Sequence, residues 1–199
     1  TQERVNYPQH ASFLYQAQAD ILKRMDNKKA ALRLLDEAIK NLPDDPELIY
    51  SEVLLLDAHQ EKDKLDQLLT KLLEIEPNSP TYLNAYAYTL ALQNRRLDEA
   101  RRYVEQALEF APEQASILDT LGYVSYLQND YTASAQALEK AYALNHSAAI
   151  GSRYAKSLYM QGDIQKFSQV LQQLQQNHPN DPQLQQLNSL LLPQPVKKS

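Results

Sequence analysis

One property of this chain restricts its fold more than any other: it repeats itself about every 34 residues. The segments "LNAYAYTLALQN" (83–94) and "LDTLGYVSYLQN" (118–129) align at an offset of 35, and their continuations "VEQALEFAP" (104–112) and "LEKAYALNH" (138–146) align at 34. A period of roughly 20–50 residues marks stacked units, each too small to bury its own apolar face and each completed by its neighbours.

The same frame runs along most of the chain. Each unit closes on an apolar stretch followed by a proline or its substitute: Pro43, Pro77, Pro112, His146 and Pro179, spaced 34, 35, 34 and 33. Proline suits that place because it cannot continue a helix and restrains the residue before it. Polar caps then restart the chain in "DDPE" (44–47), "NSPT" (78–81) and "NDPQ" (180–183). Within each unit two amphipathic stretches are joined by a short polar turn: "RMDNK" (24–28), "HQEKD" (59–63), "QNRR" (93–96), "QND" (128–130) and "QGD" (161–163). Small residues recur at fixed places. The first helix carries Ala19, Val53, Ala87, Gly122 and Ala155, and the second Ala38, Leu72, Ala107, Ala141 and Leu174. Unit two is the least regular, with Val53, Leu65 and Leu72 in place of smaller residues.

Composition agrees with helix. Good helix formers dominate, β-branched residues are sparse, and only 3 of 199 residues are Gly. One of these, Gly122, sits inside the helical stretch "LGYVSYLQND" (121–130). A mid-helix glycine costs roughly 1 kcal/mol relative to alanine, so it needs a reason. The pattern assigns it to the point where two helices of one unit meet, where a side chain would hold the backbones apart.

A period near 34, two helices per period, small residues at these points and a terminal proline resemble the tetratricopeptide repeat (TPR). "LDTLGYVSYLQNDYTASAQALEKAYALNH" (118–146) carries the resemblance furthest, with His146 where the family prefers proline. The resemblance covers residues 12–179, and "QLQQLNSLLL" (183–192) reads as a closing helix. It implies an all-α right-handed α-solenoid of about five helix pairs plus a C-terminal capping helix. Residues 1–11 are then a lead-in, 12–192 a single array with its cap, and 193–199 a disordered tail.

The resemblance also implies a site. TPR arrays line a concave surface with their first helices. The corresponding residues here include Tyr50, Leu54, Asn84, Tyr88, Asp119, Tyr123, Tyr126, Lys156 and Tyr159. Helical geometry supports the grouping independently: Asp119, Tyr123 and Tyr126 share one face, with Leu118, Leu121, Gly122 and Ser125 on the other. Any one tyrosine is as well read as packing against the next repeat. Tyr50, Tyr88, Tyr123 and Tyr126 taken together read as a binding stripe, since tyrosine offers apolar area with a polar tip. Some relatives clamp acidic peptide C-termini with Lys and Asn in neighbouring first helices. The matching places hold Gln16, Asp20, Ser51, Thr81 and Ala85, so that clamp is absent.

Other chemistry finds little support. The formal net charge of −5 argues against general nucleic-acid binding. The chain has no Cys, hence no disulfide or thiolate chemistry, and the longest apolar runs are too short to span a bilayer. His10, His59, His146 and His178 lack metal-ligand spacing and read as loop residues. There is no phosphate loop, metalloprotease helix or nucleophile elbow, so neither an enzyme nor a cofactor is expected. The arginines of "RRLDEARRYVE" (95–105) read as a solvated face with Asp98–Arg102 and Arg101–Glu105 pairs. "NHS" (145–147) matches a glycosylation sequon, a single match that decides nothing.

The expectation is a non-catalytic protein- or peptide-binding scaffold, monomeric or weakly oligomeric. Residues 83–127 resemble the C-terminal repeats of bacterial envelope TPR lipoproteins, some of which deliver substrates to a periplasmic protease. That implies the periplasmic face of the outer membrane, with cytoplasm as the alternative. The sequence carries neither a lipid-bearing Cys nor a signal peptide, which leaves any lipid anchor to the region upstream of Thr1. Two other classes stay open: a self-association module, and a regulatory repeat region of a larger protein.

Overall fold

The computed structural model describes residues 10–190. Among these, every regular element is a helix. The first helices of the five units are α1 (Ala11–Arg24), α3 (Pro46–Val53), α5 (Pro80–Leu92), α7 (Ala115–Leu127) and α9 (Ala148–Gln161). The second helices are α2 (Lys28–Asn41), α4 (Lys62–Ile75), α6 (Leu97–Phe110), α8 (Tyr131–Leu144) and α10 (Ile164–Asn177), and α11 (Pro182–Leu190) closes the array. The five pairs and the closing helix thus stand as the repeat pattern predicts. The lead-in expected before residue 10 and the tail expected at 193–199 lie outside the described residues.

Local chemistry sets the boundaries. Pro46, Pro80 and Pro182 occupy first helical positions, where a missing N–H goes unnoticed. Carboxylates or hydroxyls of Asp45, Asp130, Ser147 and Asp163 accept from backbone N–H groups three residues on. At the other end, Asp26, Asn94, Asn129 and Gly162 adopt positive φ at equivalent places in units one, three, four and five. These residue types enter the left-handed region most cheaply, and there they turn the chain into the second helix.

Unit two departs from expectation at this point. Its equivalent residue is Gln60, which does not take positive φ. Helix α3 stops at Val53 instead of running on to the polar turn at 59–63, and Leu54–Glu61 form an irregular connection. The Asp57 carboxylate accepts from the N–H groups of His59 (2.9 Å) and Gln60 (3.0 Å) and holds that connection in a tight turn.

The core runs between first and second helices. The small residues of the repeat frame are all buried, Ala38, Leu72, Ala107, Ala141 and Leu174 completely. At Gly122 an added Cβ would lie 2.4 Å from Leu138 Cγ, so any side chain here would push Leu138 of α8 out of its place. Ser134 of α8 donates to the Gly122 carbonyl at 2.7 Å across the same contact. The sequence reading of this glycine therefore holds.

The layers differ in spacing. At backbone level α1 meets α3, α5 meets α7, α7 meets α9, and α9 meets α11. Among the described residues, successive second helices make no comparable approach. The first helices therefore form the tight inner layer and the second helices the splayed outer one, which makes the first-helix side concave. The inner layer has one break, between α3 and α5.

Candidate functional site

The concave side of units three to five is built from helices with almost no charge. Helices α5 and α11 contain no Asp, Glu, Lys or Arg, α7 contributes Asp119 alone, and α9 contributes Arg153 and Lys156. Apolar and tyrosyl positions fill the rest.

These few charges are placed around aromatic rings. Arg153 forms a fork on Asp119, with Nε to Oδ1 at 2.8 Å and Nη2 to Oδ2 at 2.5 Å, which joins α9 to α7. The Arg153 guanidinium lies 5.9 Å from the centre of the Tyr123 ring, and Tyr123 in turn meets Tyr88 of α5 at 6.2 Å. A continuous row Tyr88–Tyr123–Arg153 thus crosses three repeats. Beside it, Lys156 Nζ sits 5.2 Å above the Tyr126 ring, and that ring packs edge-on against Tyr131 at 5.4 Å. Burial pushes the Tyr123 hydroxyl above its ordinary value of 10.0, with Tyr88 adding to the rise and Arg153 opposing it. Burial also pulls on Arg153, but Asp119 outweighs it and keeps the guanidinium charged.

Two recesses open on this surface. A slot of about 60 Å³ lies between α7 and α9, with Tyr123 and Tyr126 on one wall, Arg153, Lys156 and Ser157 on the other, and Leu138 as its floor. Leu138 reaches that floor beside Gly122. A larger cleft of about 560 Å³ between α9 and α11 is lined by Ser152, Arg153, Lys156, Gln186, Leu187 and Leu190, among others. Arg153 and Lys156 border both.

The sequence-derived candidates fall into two groups. Tyr88, Asp119, Tyr123, Tyr126 and Lys156 come together as described. Asp119 is buried and committed to Arg153, so it positions that arginine and offers little free charge. Tyr159 is half-buried and packs edge-on against Phe167 of its own unit, and Asn84 is half-buried, its carbonyl oxygen hidden without a hydrogen bond. Tyr50 lies apart, its ring 5.3 Å from Tyr82 across the break between α3 and α5. Leu54 falls beyond the end of α3, is 60% exposed, and borders a separate cleft of about 140 Å³ with Gln16, Asp20 and Lys23. The expected stripe is thus two patches.

Residues outside the expected set also matter. Arg153 anchors the site, and its signal was present: it stands 34 residues after Asp119, one repeat away in sequence and adjacent in space. Leu187 and Gln186 come from the closing helix, which has no repeat counterpart. The arginine-rich segment 95–105 is more than a solvated face. Arg101 pairs with Glu105 (2.8 Å) as expected, but Asp98 accepts from Gln128 (2.8 Å). Arg95 and Arg96 both reach Asp66 of the preceding unit. The four histidines stay in loops or at the chain start, and no group of three metal-ligating side chains occurs among the described residues. No described helix is long and apolar enough to cross a membrane.

Two tetratricopeptide-repeat family models match this chain, over residues 87–149 and 125–191. A TPR repeat-containing protein of Pseudomonas aeruginosa, PA4667, is 29% identical over 138 residues, which is 69% of this chain and 23% of that protein. The chain thus spans about a quarter of that relative's length. Among solved structures, the thermophilic TPR protein TTC0263 of Thermus thermophilus superposes with a TM-score of 0.72 at 21% identity, covering 92% of this chain and 100% of that one. YrrB, described as a TPR protein with an unusual peptide-binding site, gives 0.65 at 11% identity, covering 88% and 90%. At those identities the likeness concerns the fold alone. This chain belongs to the tetratricopeptide-repeat family, whose solenoids are protein-interaction scaffolds.

Proposed function

We propose that this protein is a non-catalytic adaptor that holds an extended segment of a partner protein on the concave face of units three to five. The observation that carries this reading is the row Tyr88–Tyr123–Arg153, partly exposed, crossing three repeats on helices otherwise nearly free of charge. Rigid tyrosines and a pinned arginine are the side chains that give most binding energy at low entropic cost. The test is capture of partners from cell-envelope and cytosolic fractions with the wild-type chain and with Tyr88→Ala/Tyr123→Ala. The double variant should stay helical by circular dichroism and lose its partners. If it keeps every partner, the tyrosine row is not the binding surface.

The finer reading places the adaptor at the periplasmic face of the outer membrane, serving a periplasmic protease. It rests on the resemblance of residues 83–127 to envelope TPR lipoproteins. Fractionation of cells expressing the native gene tests the location: the protein should follow the envelope, and recovery in the cytosol sinks the envelope role.

A further inference from the structure

The occupant of the concave face can be described chemically. Lys156 is exposed, forms no ion pair among the described residues, and is held over the Tyr126 ring. Arg153 and Asp119 neutralise each other. The inner helices of units three to five, with the closing helix, therefore carry one uncompensated charge, positive, in a chain whose net charge is −5. A partner that fits this surface is mostly apolar and brings one carboxylate.

The recesses decide how that carboxylate is presented. Lys156 borders both the slot over Leu138 and the larger cleft beside Leu187 and Leu190. It stands between them, so a chain occupying both passes the lysine and does not end there. The slot, about 60 Å³, has roughly the liquid volume of two waters, taken as about 30 Å³ each. One wall is formed by Tyr123 and Tyr126, the other by Arg153, Lys156 and Ser157, and its floor is Leu138. It takes one small aliphatic side chain.

We propose that the concave cleft between α7, α9 and α11 binds an extended apolar peptide with an internal Asp or Glu, whose carboxylate pairs with Lys156 while a small aliphatic neighbour enters the slot over Leu138. Gly122 acquires a second role in this scheme, because the close α7–α8 contact brings Leu138 forward to form the slot floor. The proposal rests on the concave-face reading above and adds the occupant.

The experiment uses the whole chain and a random peptide library flanked on both sides by constant sequence, so that no free terminus lies in the binding region. Selected peptides should carry Asp or Glu between aliphatic residues. A selected peptide and its amide version (Asp→Asn or Glu→Gln) are then compared by fluorescence anisotropy. The wild-type chain should lose roughly tenfold in affinity on that change. Lys156→Gln should bind both versions equally and weakly, Lys156→Glu should prefer the amide, and Tyr123→Ala should bind neither. Selected peptides without an acid, or an acid preference that survives Lys156→Gln, overturn the proposal while leaving the concave face in place. So does tighter binding of the same peptide truncated to end at the acid. Binding that survives Tyr123→Ala, or a library with no binder, overturns both readings.

Discussion

Units two and four are built from the same repeat and solve its central problem differently. In unit four the small positions hold Gly122 and Ala141, helix α7 runs thirteen residues, and α5, α7 and α9 form an unbroken inner layer. In unit two the same positions hold Val53 and Leu72, α3 runs eight residues, and the inner layer opens beyond it. The residue before the small position differs as well. It is Leu121 in unit four, Tyr86 in unit three and Tyr154 in unit five, but Glu52 in unit two, buried at 1% exposure and paired with Lys64. Unit four thus packs Leu138 against a glycine at this point, whereas unit two places a carboxylate paired with Lys64 beside it. The tyrosine row lies where the approach is close, and the Tyr50–Tyr82 contact spans the break.

The largest expected effect comes from filling the glycine. Gly122→Leu drives a side chain into Leu138 and should destabilise the array by about 3 kcal/mol, read as a fall in the urea midpoint at unchanged slope. Gly122→Ala is the sharper probe. Alanine gains up to about 1 kcal/mol in helix propensity, so a net loss of stability isolates the contact at 2.4 Å. Pairing Gly122→Ala with Leu138→Ala should cost less than the sum of the two alone. Additive costs would mean that α7 and α8 are not held together at this point.

Most of this architecture was legible in the sequence because it depends on local rules. A 34-residue period, a proline after four of the five second helices and small residues at most crossing points are backbone requirements, and they left visible marks from Pro43 to Pro179. The failure at α3 had a visible cause as well: Gln60 stands where Asp26, Asn94, Asn129 and Gly162 take positive φ. Less legible were the contacts between repeats. Arg153 on Asp119, Lys64 on Asp36, and Arg96 on Asp66 join residues 28 to 34 apart in neighbouring units. Their partners depend on how far one unit rotates over the next, which no single-unit pattern encodes. The split of the tyrosine stripe has the same origin.

A smaller effect separates the two ends of the array through one equivalent lysine. Lys64 and Lys166 are each the third residue of a second helix and reach a carboxylate on the preceding one: Asp36 at 2.9 Å and Glu139 at 2.7 Å. Lys64 also serves buried Glu52, whereas Lys166 lies 5.8 Å over the Tyr154 ring and its partner Glu139 is 53% exposed. Lys64→Met strands a carboxylate in the core and should cost about 2 kcal/mol, discounted from the usual 3–5 for a fully buried pair because Lys64 is itself 38% exposed. Changing both, as Glu52→Leu/Lys64→Met, should restore most of that loss. Unit two would owe its stability to something other than the pair if Lys64→Met left the urea midpoint where it was.

The smallest effect is the most diagnostic, because the two lysine seams respond to pH with opposite sign. Burial raises the Glu52 carboxyl above 4.5, against the pull of Lys64. The fold then binds more protons than the unfolded chain between 4.5 and the raised value, so this contribution is present below 4.5 and is lost as pH rises through that window. The hydrogen bond from Lys166 lowers Glu139 below 4.5, against slight desolvation. Its contribution is present above 4.5 and is lost as pH falls through the lowered value. At neutral pH Lys166→Met should therefore cost no more than about 0.5 kcal/mol, as for other exposed pairs, and the cost should shrink as pH falls below 4.5. Glu52→Gln should become less costly relative to wild type as pH rises from 4 to 7. Urea midpoints followed from acid pH well below 4.5 up to 7 for the two variants test the assignment. Parallel pH profiles would show that Glu52 and Glu139 occupy equivalent environments and that the contrast between the two seams is false.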